Sequence, residues 1–276
     1  MFTLVFTLFI LLLPSFASIT VTKNKTLIEK TPVFSREYWA VLVGINNYPG
    51  WSSDLPWSVN EIKSFKKTLL NGGNWEESHI VTLFDENATS ENIFAALEWL
   101  SSMEDKNDVS VFYFAGHGSK TMDGERISVY NDVIYDKELD EKLGNLDGRI
   151  VVILDSCFSG GFIEELGKKN RVVMTACGKN EPTYQVDELK SGIFGYFVNK
   201  CLSGFTKTAE ATFAFSCFLS IYYSKQLSEK FNQDYTIHPC LYDGCKGFVK
   251  IINHHTFFPS STPKLNPSKE PRIWRM

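Results

Sequence analysis

The feature that most constrains this chain is a change of character within residues 151–162, V-V-I-L-D-S-C-F-S-G-G-F. Val151, Val152, Ile153 and Leu154 form a continuous apolar, β-rich run, the pattern of a strand covered on both faces in a parallel sheet. The residues that follow, Asp155 to Gly161, are mostly small and turn-forming and end the strand at once. A cysteine, Cys157, therefore falls where a central strand passes into a loop. In open α/β sheets that carboxyl edge is where ligands bind. Taken alone, the position also suits a buried thiol acting as a small hydrophobe.

A second stretch changes the balance. Val109–Phe114, V-S-V-F-Y-F, is another apolar β-type run, and it breaks into Ala115-Gly116-His117-Gly118-Ser119. The flanking glycines leave backbone N–H groups open to a ligand. About 40 residues of helix-like sequence separate the two runs, the length of a β-α-β crossover, which makes parallel neighbours with both ends on one rim. A thiol and an imidazole would then face each other, the minimum set for nucleophilic acyl transfer. The remaining histidines compete poorly: His79 precedes a strand on the opposite rim, His238 stands before Pro239, and His254 and His255 follow the last apolar run.

With 276 residues, 43% hydrophobic and 22% charged, the chain can build one sizeable core. A net charge of −4 gives no electrostatic reason to expect nucleic acid as a partner. Residues 1–17 form a short apolar run ending Pro14-Ser15-Phe16-Ala17, with small residues at the spacing of a signal-peptidase site. They read as a cleaved signal peptide of a secreted or extracytoplasmic protein, with membrane attachment only if the segment stays uncleaved. Asn24-Lys25-Thr26 and Asn87-Ala88-Thr89 match glycosylation sequons. An oxidising compartment would favour pairing among the cysteines at 157, 177, 201, 217, 240 and 245. Cys240 and Cys245 are the best local pair, and Cys177 ends a strand and reads as buried and inert.

Residues 18–38 read as an N-terminal extension, 39–253 as the catalytic domain and 254–276 as a loose tail. Strands are expected at Trp39–Ile45, Ile80–Leu83, the two runs above, Arg171–Cys177 and Phe248–Ile252. Helices are expected at Ser58–Leu70, Ser90–Met103, Asp136–Leu143, Ile193–Leu202 and Thr208–Phe231. Ser58 and Glu61 have the spacing of a capping box, and the aromatic stripe of the last helix reads as core. Ile127–Tyr135 reads as a rim hairpin and Gly178–Gly192 as a polar loop. The alternation predicts an α/β fold: a three-layer α/β/α sandwich around a mostly parallel, six-stranded sheet.

Y-F-A-G-H-G-S and I-L-D-S-C-F-S-G-G together resemble the caspase-like cysteine peptidases, metacaspases in particular. The opening W-A-V-L-V-G-I-N-N-Y and the closing H-P-C-L-Y-D-G extend the resemblance over roughly Trp39 to Ile252. It implies protein or peptide substrates, with Cys157 as nucleophile, His117 as general acid/base, and the N–H groups of Cys157 and Gly118 as oxyanion hole. Phe158 departs from the pattern, because metacaspases usually have His there and legumains Glu. In metacaspases the Asp matching Asp155 lines the pocket for the P1 residue, and an acid matching Glu61 contributes. Residues two apart on a strand face the same way, so Asp155 can point toward the site of Cys157. Ala115 is small and leaves room for a long P1 side chain. The expected specificity is therefore Arg or Lys. A legumain-like preference for Asn, transpeptidation, and a non-catalytic binding module are the alternatives. Only Phe162–Asn170 follows the cysteine strand before the next one, too short for the cleavable linker of a two-chain caspase, and the basic spot Lys168-Lys169-Asn170-Arg171 reads as a solvated loop, with self-cleavage as the alternative. No cofactor is expected, but metacaspases are often calcium-activated, and Asp132, Asp136, Glu138 and Glu164 fall in the matching regions without an EF-hand pattern.

Overall fold

The computed structural model describes residues 36–49, 54–255 and 272–276, so the expected signal segment, Asn24 and most of the extension lie outside the described residues. Along the chain lie strands β1 (Tyr38–Gly44), β2 (Ile80–Phe84), β3 (Val109–Ala115), β4 (Gly118–Thr121), β5 (Gly124–Ser128) and β6 (Val133–Tyr135). They are followed by β7 (Arg149–Asp155), β8 (Arg171–Thr175), β9 (Tyr184–Val186), β10 (Ser191–Gly192), β11 (Cys240–Asp243) and β12 (Ile273–Arg275). The helices are α1 (Ser58–Asn71), α2 (Ser90–Met103), α3 (Asp136–Leu143), α4 (Ile163–Leu166), α5 (Ile193–Gly204) and α6 (Ala209–Phe231).

Six strands form one sheet in the order β11-β8-β7-β3-β1-β2. All neighbours are parallel except the edge pair β11 and β8. The continuous apolar runs are explained by the two layers that cover them. Alternate residues Val151 and Ile153 of β7, Val111 and Tyr113 of β3, and Leu42 of β1 pack in one cluster with Ile62 and Phe65 of α1 and Phe194 and Phe197 of α5. The intervening Val152 and Leu154, Phe112 and Phe114, and Val41 and Val43 pack in a second cluster with Ile93 and Leu97 of α2 and Leu139 of α3. With a side-chain period of two, both faces must be apolar where both are covered. Each such fully buried side chain contributes roughly 1.5–3 kcal/mol. The rim hairpin is present and enlarged: β4, β5 and β6 form a small antiparallel sheet.

Four expectations change. The sixth strand of the sheet is β11, not Phe248–Ile252. Val249, Ile251 and Ile252 are fully buried, but Lys250 makes only an isolated bridge to Thr208. Their backbone groups serve element ends instead, as in Ala209 N–H to Val249 C=O at 2.8 Å and Ile251 N–H to Lys207 C=O at 2.7 Å. A short apolar run marks burial without fixing pairing.

The aromatic residues of α6 divide: Tyr223 is buried in the core and Phe213 and Phe231 pack against it, but the others face outward. Phe215, Phe218 and Tyr222 are each at least half exposed, whereas Thr212, Ser216, Ser220 and Ser224 are fully buried. Those four recur every fourth residue and so share one helix face. Small side chains allow close approach, and Ser216 and Ser224 satisfy their hydroxyls on the carbonyls of Phe213 and Ile221, both at 3.1 Å. All six cysteines are free thiols, Cys240 and Cys245 included. Cys240 Sγ donates to the His238 carbonyl at 3.4 Å, and Cys245 lies beyond the end of β11, its N–H donating to Asp243 Oδ1 at 2.9 Å. Within the expected loose tail, Ile273–Arg275 is a strand paired antiparallel with β9.

Candidate active site

β3 and β7 pair in register, with Ala115 beside Asp155, and the Gly116 N–H donates to the Asp155 carbonyl at 3.2 Å. The histidine and cysteine loops therefore leave the sheet side by side. A Cβ added to Gly118 would lie 2.3 Å from the Cys157 carbonyl oxygen and 2.8 Å from Ser156 Oγ. Only glycine allows that approach. His117 is half-buried. Its N–H donates to the Tyr48 hydroxyl at 2.9 Å, its carbonyl accepts from the Ser128 N–H at 2.9 Å, and its ring faces that of Tyr48 with centroids 4.8 Å apart. Burial raises the Tyr48 phenol well above its usual range and keeps it protonated. Sequence reasoning did not single out Tyr48; its signal was its place in the first strand's opening motif.

Cys157 is 1% exposed. Its Sγ accepts the Thr183 N–H at 3.3 Å and lies 3.6 Å from the Thr183 carbonyl, to which the thiol donates. Burial pushes this thiol up, while the Thr183 N–H and the Arg275 guanidinium pull it back. Phe158 has φ 61°, the left-handed region, and its N–H donates to the Glu181 carbonyl at 2.8 Å. That conformation costs a non-glycine residue about 1–2 kcal/mol, a strain held in place beside the thiol. Cys177 is fully buried, hydrogen-bonded to the Glu181 carbonyl at 3.1 Å and pushed up to about 12 by burial, which fits an inert thiol.

Asp155 is the last residue of β7 and sits on the face of Tyr113, toward α1 and α5, whereas Cys157 belongs to the cluster on the other face. The period-two argument that aims Asp155 at the thiol stops where the strand stops. Glu61 reaches the same region from α1 and accepts from the Tyr113 hydroxyl at 2.7 Å, the Ser191 hydroxyl at 2.8 Å and the Gly192 N–H at 2.7 Å. Asp155 Oδ2 accepts the Gly195 N–H at 2.8 Å, and its Oδ1 has no partner among the described residues. Apart from each other, the two carboxyls meet only the neutral Tyr113, Ser191, Gly192 and Gly195 groups among the described residues. Burial pushes both upward, Asp155 further still because of the Glu61 charge. Ala115 is fully buried at the end of β3 beside Asp155. A cavity of about 310 Å³ between α1 and α5 has Glu61, Ser191 and Gly195 in its wall; Cys157 and His117 do not line it.

The capping box does not form. Trp57 caps α1 without a side-chain bond, Ser58 Oγ accepts from Gln185 Nε2 at 2.7 Å, and the Val59 N–H goes to Asn46 Oδ1 at 2.9 Å. Tertiary partners claim both residues of the motif. The segment read as a polar loop holds β9 and β10, and Thr183 and Gln185 in it are fully buried. Its signal was the alternation of Thr183, Gln185 and Asp187 with Tyr184 and Val186. Arg171, within the basic spot, is buried and paired with Asp140 at 2.6 Å, so one of its charges is structural.

Of the four acids considered for calcium, Asp136 and Glu164 line one cleft together with Glu125 and Lys179, whereas Glu138 and Asp132 are not part of it. Glu138 folds back onto the Tyr135 N–H at 2.9 Å, Lys179 holds Glu164 at 2.5 Å, and Asp132 lies beside Arg126 in a separate cleft. Among the described residues no group of three or more His, Cys, Asp or Glu side chains is arranged to hold a metal ion.

Parallel strands ending in adjacent histidine and cysteine loops, in a three-layer sandwich, define the caspase-like class of α/β proteins. The chain belongs to the caspase domain family, a family of cysteine peptidases: the family model matches residues 37–239. It is similar to Metacaspase-1 of Scheffersomyces stipitis, 31% identical over 143 residues, covering 44% of this chain and 35% of the relative. Metacaspase-1B of Aspergillus fumigatus is 30% identical over 143 residues, again covering 44% of this chain and 35% of the relative. The match thus spans about a third of the length of these curated relatives. Among solved structures, Caspase-1 from Spodoptera frugiperda aligns with a TM-score of 0.60 at 9% identity, over 81% of this chain and 92% of that one. A Geobacter sulfurreducens protein aligns with a TM-score of 0.59 at 13% identity, over 76% of this chain and 94% of that one. These two likenesses speak for the fold.

Proposed function

We propose that this protein is a secreted cysteine endopeptidase that cuts protein or peptide substrates after Arg or Lys, with Cys157 as nucleophile and His117 as general acid/base. The observation that carries the reading is the approach of Gly118 to the Cys157 carbonyl, which sets the two loops against each other. His117 takes the Cys157 thiol proton, the thiolate attacks the scissile carbonyl carbon and a C–S bond forms. The N–H groups of Cys157 and Gly118 hold the oxyanion. His117 gives its proton to the leaving amine as the C–N bond breaks, and then draws a proton from the water that hydrolyses the thioester. Tyr48 and Ser128 hold the histidine backbone in place for this.

The Arg or Lys preference is supported by Asp155 and Glu61, a buried acidic pair with neutral partners and one unsatisfied oxygen. A P1 cation would ionise and satisfy that pair through charge-assisted hydrogen bonds. No cofactor enters this mechanism. Secretion is supported by the apolar residues 1–17 and by the exposed sequon at Asn87; N-terminal sequencing of protein from the native host tests it, with a start near Ser18 expected and Met1 on a cytosolic form against it. The activity is tested with a peptide library varied at P1, run against wild type, Cys157→Ala and Asp155→Ala. Arg and Lys should dominate in wild type, cleavage should vanish in the first variant, and the preference should fall in the second. Preference for Asn would make the enzyme legumain-like. Products joined to an added amine would show transpeptidation. No cleavage together with an unreactive Cys157 would leave a binding module.

A further inference from the structure

β9 has β10 on one side and β12 on the other. The β12 side is filled by the chain's own residues 272–276. Ile273 pairs with Val186, Trp274 with Gln185 and Arg275 with Tyr184, all antiparallel. The ladder continues at both ends: the Asp187 N–H donates to the Arg272 carbonyl at 3.2 Å, and the Met276 N–H donates to the Thr183 carbonyl at 3.1 Å. That Thr183 carbonyl is the one to which the Cys157 thiol donates, at 3.6 Å. The segment therefore runs, in extended form, up to the nucleophile.

Its side chains are seated as well. Trp274 Nε1 donates to Asp187 Oδ1 at 3.3 Å, an oxygen that also accepts Trp57 Nε1 at 2.8 Å. The Arg275 guanidinium lies over the Phe158 ring, 6.0 Å from its centroid. Met276 is 3% exposed and belongs to the same apolar cluster as Cys157, itself 1% exposed. An extended peptide recognised by strand addition needs these same elements: main-chain hydrogen bonds for affinity and side-chain seats on alternate positions for specificity.

We propose that residues 272–276, seated along the edge of β9 from Thr183 to Asp187, are an internal ligand, a built-in competitive inhibitor that must leave β9 before a substrate can reach Cys157. The proposal rests on the peptidase reading for what the displaced strand gives way to, but the seat itself is read from the ladder. A tethered segment faces its site at an effective concentration on the order of millimolar, so even a weak strand keeps the cleft closed. It also selects among substrates: an extended peptide with an aromatic N–H group opposite Gln185 would find the Asp187 oxygen waiting.

The test uses the full chain and a variant lacking residues 272–276. Alkylation of Cys157 by iodoacetamide is followed by mass spectrometry, with the other five cysteines as internal controls, and kcat/KM is measured on a peptide with P1 Arg. Removal of the segment should speed Cys157 alkylation at least tenfold and lower KM more than it changes kcat. A synthetic peptide of residues 271–276, added in trans, should slow alkylation again and inhibit competitively, and its Trp274→Ala version should do so less well. Unchanged Cys157 alkylation in a folded truncated chain would overturn the proposal. So would a truncated chain that fails to fold, since the segment would then be part of the fold. Faster alkylation without peptide cleavage would uphold the internal ligand and defeat the peptidase reading, whereas cleavage and alkylation both indifferent to truncation would defeat the internal ligand alone.

Discussion

Glu61, in the first turn of α1, and Asp155, at the end of β7, meet at one turn of backbone: the Gly192 N–H donates to the first at 2.7 Å and the Gly195 N–H to the second at 2.8 Å. A Cβ on Gly195 would lie 2.2 Å from Glu61 Oε1, so glycine is what lets the helix start over the carboxylate. Burial pushes both carboxyls upward and the Glu61 charge pushes Asp155 further, which favours a proton kept on the pair when no cation is near. A peptide aldehyde with P1 Arg should therefore release a proton on binding near pH 7. Calorimetry in buffers of different ionisation enthalpy reads this directly. Proton uptake, or none, would remove the pair from the binding step.

The same shift has a consequence for stability. Both carboxyls are pushed above their ordinary values in the folded state. The folded chain then holds more protons than the unfolded one above the ordinary carboxylate range, so the stability from the protonated pair is present at low pH and lost as pH rises. Without ligand, Tm should fall from about pH 5 toward pH 8, and Asp155→Asn should flatten that slope. Thermal melts of both proteins across this range decide it; parallel slopes would contradict the assignment.

The sheet was legible because Val109–Phe114 and Val151–Leu154 are apolar on both faces, and only a strand covered by two layers needs that. The two loops beyond them were legible for the same reason, since glycine and small residues end those strands abruptly. β11 was hidden because Cys240–Asp243 is a short edge strand whose pairing is set by β8, not by any period of its own. The α6 stripe misled because the serines and threonine give the helix its close approach, leaving Phe218 and Tyr222 outside. Ser58 and Glu61 misled as a local motif because Gln185, 127 residues away, and Tyr113, 52 away, claim their side chains.

Gly118→Ala should be disruptive. The new methyl would meet the Cys157 carbonyl at 2.3 Å, a backbone atom that cannot swing aside. Overpacking of this kind costs about 1–3 kcal/mol, which for a domain of this size lowers Tm by several degrees, at about 2–4 °C per kcal/mol. The displaced loop should also lose turnover. An alanine variant with wild-type Tm and kcat would show that the two loops stand further apart than described.

Calcium should make no difference. Glu138 is engaged locally, Lys179 already pairs with Glu164 in the cleft it shares with Asp136, and Asp132 lies in a separate one. Turnover and Tm should agree within error in excess Ca²⁺ and in chelator. A rise in either with Ca²⁺ would place a cation site that the resting arrangement does not display.

A Cys157–His117 pair acting on peptide bonds is tested most directly by kcat/KM on a peptide with P1 Arg for wild type, Cys157→Ala and His117→Ala, with circular dichroism on each. Cys157→Ala removes only one sulfur from its buried cluster and His117 is half-buried in a rim loop, so the variants should keep the wild-type spectrum and fall to background turnover. Appreciable turnover by folded Cys157→Ala would contradict the account.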